Sequence, residues 1–362
     1  MPENEFRKIL LLNAAKYPDM QMRDYIKLTY QNEFGCEHMV SDKAGSLGDM
    51  KKEYIESAAL GNRGEAVQTI GNGYARINIG SYLPRGFLPY LNEMFVVSAA
   101  RGGGNERSFL GKAEILLELI GEKKLPLDKS AAESYLKEYL SGGIRAVSHS
   151  ECYRQSYAPH YRVVLKEYAD FLPIFIEISQ EMSKKERIMV AIDGQCASGK
   201  SFLARSLAQI FDANVFHMDD FFLPPHMRDE KRLSKPGENV HHERFLENVL
   251  EPLAARRDVN LVRYDCQKDE FLKEQKIEAK KVNIVEGSYS MHENLKGFYD
   301  IKVFLCHDKD KQRERISARE DEDSAEMFFE KWILLEEMYF EATGVKNECD
   351  FVFDTGDMFY GN

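Results

Sequence analysis

Between positions 194 and 201 the chain reads Gly194-Gln195-Cys196-Ala197-Ser198-Gly199-Lys200-Ser201. Two glycines, a lysine and a hydroxyl at this spacing suit a loop that wraps a polyphosphate, because glycine lets backbone N–H groups approach the anion closely. Lys200 would bring charge to the β- and γ-phosphates, and the Ser201 hydroxyl would face Mg²⁺. The helix that follows would aim the positive end of its dipole at the same anion. All eight residues, Gly194, Gln195, Cys196, Ala197, Ser198, Gly199, Lys200 and Ser201, are therefore expected to hold a nucleoside triphosphate, with ATP and Mg²⁺ as cofactors. The flanks support this reading. Ile188 to Ile192 is a continuous apolar run typical of a buried parallel strand, and Leu203, Leu207 and Ile210 recur at helical spacing after the loop.

Three further groups carry chemistry. The segment His217-Met218-Asp219-Asp220-Phe221-Phe222 follows a second apolar run, so its acids should emerge on the same rim as Lys200. One of them can take a proton from an acceptor hydroxyl while Lys200 offsets charge on the phosphoryl group. An extended chain would turn the two Asp side chains to opposite sides, and the alternative role for them is a helix N-cap. Glu286 ends the run Val282 to Val285, where it could reach a metal through water, orient an acceptor, or simply face solvent. Arg313, Arg315 and Arg319 lie on a helical stretch before the acidic run Glu320 to Asp323. Arg315 and Arg319 share a face and suit a closing lid, or they pair with neighbouring acids.

The string from Val190 to Ser201, together with His217 to Phe222, Tyr264-Asp265-Cys266 and Val285-Glu286-Gly287-Ser288-Tyr289, resembles the uridine kinase and phosphoribulokinase group of P-loop kinases. The resemblance covers about half the chain. It implies that Asp219 is the catalytic carboxylate, with Phe222 in place of the usual Tyr, and that Ser201 and Glu286 lie on the metal side. It implies also that Arg315 and Arg319 belong to the lid, and that Phe222, Tyr264 and the segment containing His241 border the acceptor. The nucleoside kinases of this group carry a His shortly after the Tyr-Asp pair, whereas this chain continues Cys266-Gln267-Lys268-Asp269. Uridine itself is therefore not implied as the acceptor. The histidines at 241 and 242 can equally cap a helix.

Stepping outward, residues from Arg187 alternate strand candidates with helices: Ile188 to Ile192, Val215 to Met218, Val259 to Val262, Val282 to Val285, Ile301 to Cys306 and Phe351 to Phe353. This rhythm predicts an α/β P-loop kinase core, a mostly parallel sheet of five or six strands flanked by helices, with its site at the carboxyl ends of the strands. Residues 1–180 read mainly helical, over Phe6 to Ala15, Asp24 to Asn32, Phe87 to Ala99, Phe109 to Ile120 and Ala131 to Leu140. A turn at Gly71-Asn72-Gly73 leads to a short strand from Tyr74, and a long helix is expected from Arg162 to Met182. The expected division is a mainly α-helical domain over 1–183 and a kinase domain over 184–362.

The 362 residues carry a formal charge of -11. Residues 1–180 hold 22 Lys+Arg against 23 Asp+Glu, and residues 181–362 hold 27 against 37, so the acidity accompanies the phosphate loop. With no basic stripe, a nucleic-acid partner is not expected. No run approaches the roughly 18 apolar residues of a membrane span, and the start Met1-Pro2-Glu3-Asn4-Glu5 does not read as a signal peptide. A cytoplasmic location without membrane contact is expected, and a homo-oligomer stays open. Six scattered cysteines form no C-x-x-C pair, so neither a zinc site nor a disulfide framework is indicated, and Cys196 in the loop reads as a spectator thiol, with an oxidisable one as the alternative. His38, His149 and His160 are too dispersed for a metal site. The sum is an ATP-dependent kinase that phosphorylates a hydroxyl of a small metabolite, a nucleoside, sugar or vitamin precursor. The competing readings are a nucleotide-dependent hydrolase and a nucleotide-sensing regulatory module.

Overall fold

The computed structural model describes residues 3–36, 42–59, 65–80, 82–266 and 268–358. His38 and Gln267 lie outside these residues. The chain divides into two compact units, Met1–Ile176 and Glu177–Asn362, with the division inside the helix Leu172–Lys184. No helix among the described residues is long and apolar enough to cross a membrane.

The first unit is helical around a small antiparallel sheet of β1 (Val67–Gly71), β2 (Tyr74–Asn78) and β3 (Tyr161–Leu165). Each helix expected there is present, including Glu3–Lys16, Met22–Phe34 and Glu106–Gly121. A further helix, Lys43–Ala59, has no expected counterpart. The long helix expected from Arg162 is corrected at its start. Residues 161–165 pair with β2, placing Val163, Val164 and Leu165 in the core, and the helices begin only at Lys166 and Leu172. Two β-branched residues next to a leucine fit a buried pleat as well as a helix face, and pairing decided between them. Around the sheet, Arg76 is fully buried with its guanidinium donating to Gln31 and lying over the Tyr161 ring. His149 is buried between Asp24 at 2.9 Å and the Tyr161 hydroxyl at 2.7 Å. Burial depresses its pKa to about 4, so it is a neutral hydrogen-bonded core histidine.

The second unit is α/β. Its five parallel strands are β4 (Ile188–Gly194), β5 (Asn214–His217), β6 (Val282–Glu286), β7 (Ile301–Cys306) and β8 (Phe351–Asp354). They lie in the order β8-β7-β4-β6-β5, each neighbouring pair parallel. β4 is wholly buried at the centre, with Ile188 opposite Val282 and Ile192 opposite Val303. Chain order reverses on its two sides, so the crevice at its carboxyl end is a topological switch point, where such sheets hold ligands. The strand expected at Val259 to Val262 is corrected. Val259–Leu261 pairs antiparallel with Gln275–Ile277, outside the main sheet, and Tyr264–Asp265 pairs with Glu270–Phe271.

Candidate active site

The phosphate-loop geometry follows from where β4 ends. Gly194 has φ +138°, and a Cβ there would stand 2.1 Å from the Leu305 carbonyl oxygen, so only glycine lets the loop leave the sheet beside β7. The next five residues curl back, with Ser198 N–H donating to the Gln195 carbonyl at 3.2 Å and Gly199 at φ +94° opening the helix Lys200–Phe211. The first amides of that three-turn helix lack carbonyl partners by construction and carry the positive dipole end. Lys200 is buried, its Nζ donating to the carbonyls of Gly194 and Gln195 at 2.8 Å each. Ser198 Oγ is buried beside it with no hydrogen-bond partner.

The expected metal-side pair meets. Ser201 Oγ donates to Glu286 Oε1 at 3.0 Å, and His217 Nδ1 bonds the same oxygen. Strand register does this, since Glu286 faces His217 on β5 and Ile192 on β4. The hydrogen bond to Glu286 raises the His217 pKa, burial opposing it. A hydroxyl and a carboxylate at the mouth of the loop are the hard oxygen donors Mg²⁺ takes, and with the orphaned Ser198 hydroxyl they fit a Mg²⁺-bound polyphosphate.

Asp219 and Asp220 sit on a 3₁₀ turn, Met218–Phe221, rather than on extended chain. Asp220 faces Arg263 at 3.9 Å. Asp219 is exposed at the surface, and desolvation by the surrounding protein raises its carboxyl pKa. The nearby charge of Glu286 raises it further, whereas Lys200 pulls it down. Among the described residues no donor bonds the Asp219 carboxylate, so it does not cap a helix.

The remaining expected residues divide. Phe222 forms a bridge with Val240 and its ring lies 5.7 Å from Trp332. His241 caps the short helix His242–Phe245 by accepting from the Arg244 N–H at 3.2 Å. Tyr264 is buried with its hydroxyl on Asp269 inside its own hairpin. Arg315 reaches the back of the loop, donating to the Ala197 carbonyl at 3.2 Å and to the carbonyls of Thr355 at 2.5 Å and Met358 at 3.0 Å. Arg319 pairs with Glu320 at 2.6 Å and approaches Cys196 Sγ at 3.9 Å. Both arginines thus touch the loop, on its outer side, where Cys196 packs against Ile316 and Ala325. Cys196 is buried and desolvation raises its pKa, which keeps it a thiol.

Sequence reasoning missed the groups that brace the loop from below. Asp193 is fully buried and accepts from Gly194 N–H at 2.7 Å, Met291 N–H at 2.9 Å and the Tyr339 hydroxyl at 3.1 Å. Glu336, from the helix Ile333–Thr343, accepts from Cys196 N–H at 2.9 Å and from Ser288 Oγ at 2.5 Å. Desolvation raises both carboxyl pKa values, with Lys200 opposing. The one available signal was Asp193 itself, an acid at the end of an otherwise apolar strand.

No family model matches the sequence, and the comparison with curated proteins returns no relative. Solved structures do resemble it. A protein described as a possible uridine kinase from Bacillus stearothermophilus is 20% identical, with a TM-score of 0.37 over 49% of this chain and 100% of that one. A protein described as a fructose transport system kinase from Silicibacter sp. TM1040 is 21% identical, with a TM-score of 0.38 over 46% and 90%. A shikimate kinase from Bacteroides thetaiotaomicron is 16% identical, with a TM-score of 0.23 over 47% and 86%. The phosphate loop leaving the central strand of a parallel sheet makes the second unit a P-loop fold on its own geometry.

Proposed function

We propose that the second unit is an ATP-dependent kinase that transfers the γ-phosphoryl group to a hydroxyl of a small metabolite, with the loop from Gly194 to Ser201 holding the polyphosphate. The observation that carries this reading is the loop at the end of the central strand, with Lys200 buried at its base, Ser201 on Glu286, and an exposed Asp219 carboxylate that no donor bonds among the described residues. Such a group accepts the proton of an alcohol as its oxygen attacks phosphorus, the step for which a positioned base is useful. Desolvation raises its pKa, which makes it a stronger base than a free aspartate.

In this reading the loop amides and Lys200 orient the triphosphate, and Lys200 offsets charge building on the transferring group. Ser201 and Glu286 hold Mg²⁺, which supplies neutralisation of the β- and γ-oxygens when bound. His217 keeps Glu286 pointed at Ser201. Phe222, His241 and Tyr264 line the acceptor side, and Arg315 and Arg319 steady the loop and the segment above it. Water as the acceptor would make the same machinery a hydrolase. The test is incubation of the purified chain with Mg²⁺ and ATP across nucleosides, sugars and vitamin precursors, with products identified by mass. A phosphorylated alcohol supports the reading, and release of inorganic phosphate alone with every candidate contradicts it.

A further inference from the structure

We infer that Glu238, His242 and His292 form a binding site for a zinc-type divalent cation, separate from the residues assigned to Mg²⁺. One ligand atom from each of the three side chains lies within 4.8 Å of the other two, and both histidines are buried. A tetrahedral zinc site with metal–ligand bonds near 2.0–2.1 Å separates its donor atoms by roughly 3.3 Å, so the two rings must turn out of their stacked arrangement to close on an ion. The independent sign of a ligand is His242 Nε2. It is buried with no hydrogen-bond partner, although Glu238 Oε2 is 3.3 Å away and Glu243 Oε1 3.6 Å away. An orphaned buried nitrogen is costly unless a partner satisfies it.

The surroundings are those of a metal centre. The two rings stack at 4.0 Å, and Asn294 addresses both, its N–H reaching His292 Nδ1 at 3.2 Å and its side chain His242 Nδ1 at 3.4 Å. Arg232 orients the neighbouring carboxylates, lying 3.4 Å from Glu238 Oε2 and 2.8 Å from Glu243 Oε2. Gly237, with φ +79°, makes room, since a Cβ there would stand 2.9 Å from the His292 ring. Imidazole and carboxylate donors suit zinc better than Mg²⁺, which prefers an all-oxygen octahedron. A cation here would tie the segment 237–243, whose Val240 bridges Phe222, to the segment 289–292, whose Met291 holds Asp193.

The test uses the full chain, stripped with a chelator and titrated with Co²⁺ in excess Mg²⁺. The expected result is strong visible d–d absorption of a four-coordinate nitrogen and oxygen site, saturating at one equivalent and abolished by Zn²⁺. The His242→Gln, His292→Gln double variant should bind Co²⁺ more weakly by at least about 100-fold, the upper range for losing even an outer-shell partner. Where that variant does not fold, Glu238→Gln replaces it, and a loss of affinity is again expected. A weak octahedral spectrum, thiolate charge-transfer bands, or affinity unchanged in the variant that folds would each overturn the assignment.

Discussion

Asp219 is the residue on which transfer chemistry depends, and its surroundings make opposite demands on it. Desolvation and the charge of Glu286 raise its pKa while Lys200 lowers it. Asp219→Asn removes the proton acceptor and keeps the shape. Turnover is expected to fall by roughly 10²–10⁴, with ATP affinity within a few-fold, in steady-state kinetics and calorimetry. The acid limb of kcat/KM should lie above the ordinary aspartate range and vanish in this variant. At His217 the sign is reversed. Its pKa stands above the ordinary 6.5, chiefly through Glu286. A histidine raised on folding stabilises fully below its unfolded value and loses that contribution as pH rises through the folded value. The Tm deficit of His217→Gln should therefore be largest below about pH 6.5 and shrink above it. A deficit independent of pH would contradict the pairing.

At the level of elements, the loop is fixed by where β4 stops and by what lies under it. Gly194→Ala forces a Cβ against the Leu305 carbonyl at a φ that side chains rarely adopt. A loss of about 1–3 kcal/mol in chemical denaturation is expected, with weakened ATP binding. Arg315→Ala frees the Ala197 carbonyl and the segment at Thr355 to Met358. It should raise the ATP Kd more than Arg319→Ala does, because the Arg319 ion pair with Glu320 is exposed and weak. The sheet was legible because β4 opens on the continuous apolar run Ile188 to Ile192, while β6 and β7 are mostly apolar, interrupted by Asn283 and Lys302, the mark of strands buried on both faces. Val259 misled because a three-residue apolar alternation looks alike in a core sheet and in a hairpin, and its polar partner Gln275–Ile277 gives no periodic signal. Lys200, Ser201 and Glu286 could be read from motif and strand end. Glu336 could not, since it lies 140 residues from the Cys196 amide it holds and its helix pattern does not single it out.

Across the whole molecule, each compact unit carries a core of its own, with Tyr168 and Phe175 buried in the first and Phe216 and Tyr339 in the second. A fragment from Leu172 to Asn362 keeps every residue of the proposed phosphate and metal sites and the helix that spans the division. It should unfold cooperatively and bind Mg·ATP within about tenfold, or 1.4 kcal/mol, of the full chain. Comparing the two against one acceptor panel tells whether residues 1–171 influence the choice of alcohol.

The central claim is that the turn from Gly194 to Ser201 grips a nucleoside triphosphate, and calorimetric titration of the full chain with ATP in the presence of Mg²⁺ tests it directly. The account predicts saturable one-to-one binding, retained in Asp219→Asn and weakened by at least about tenfold in Lys200→Ala, where a charge-assisted contact of about 1.5–3 kcal/mol is lost. No measurable uptake, or uptake that Lys200→Ala leaves unchanged, would contradict it.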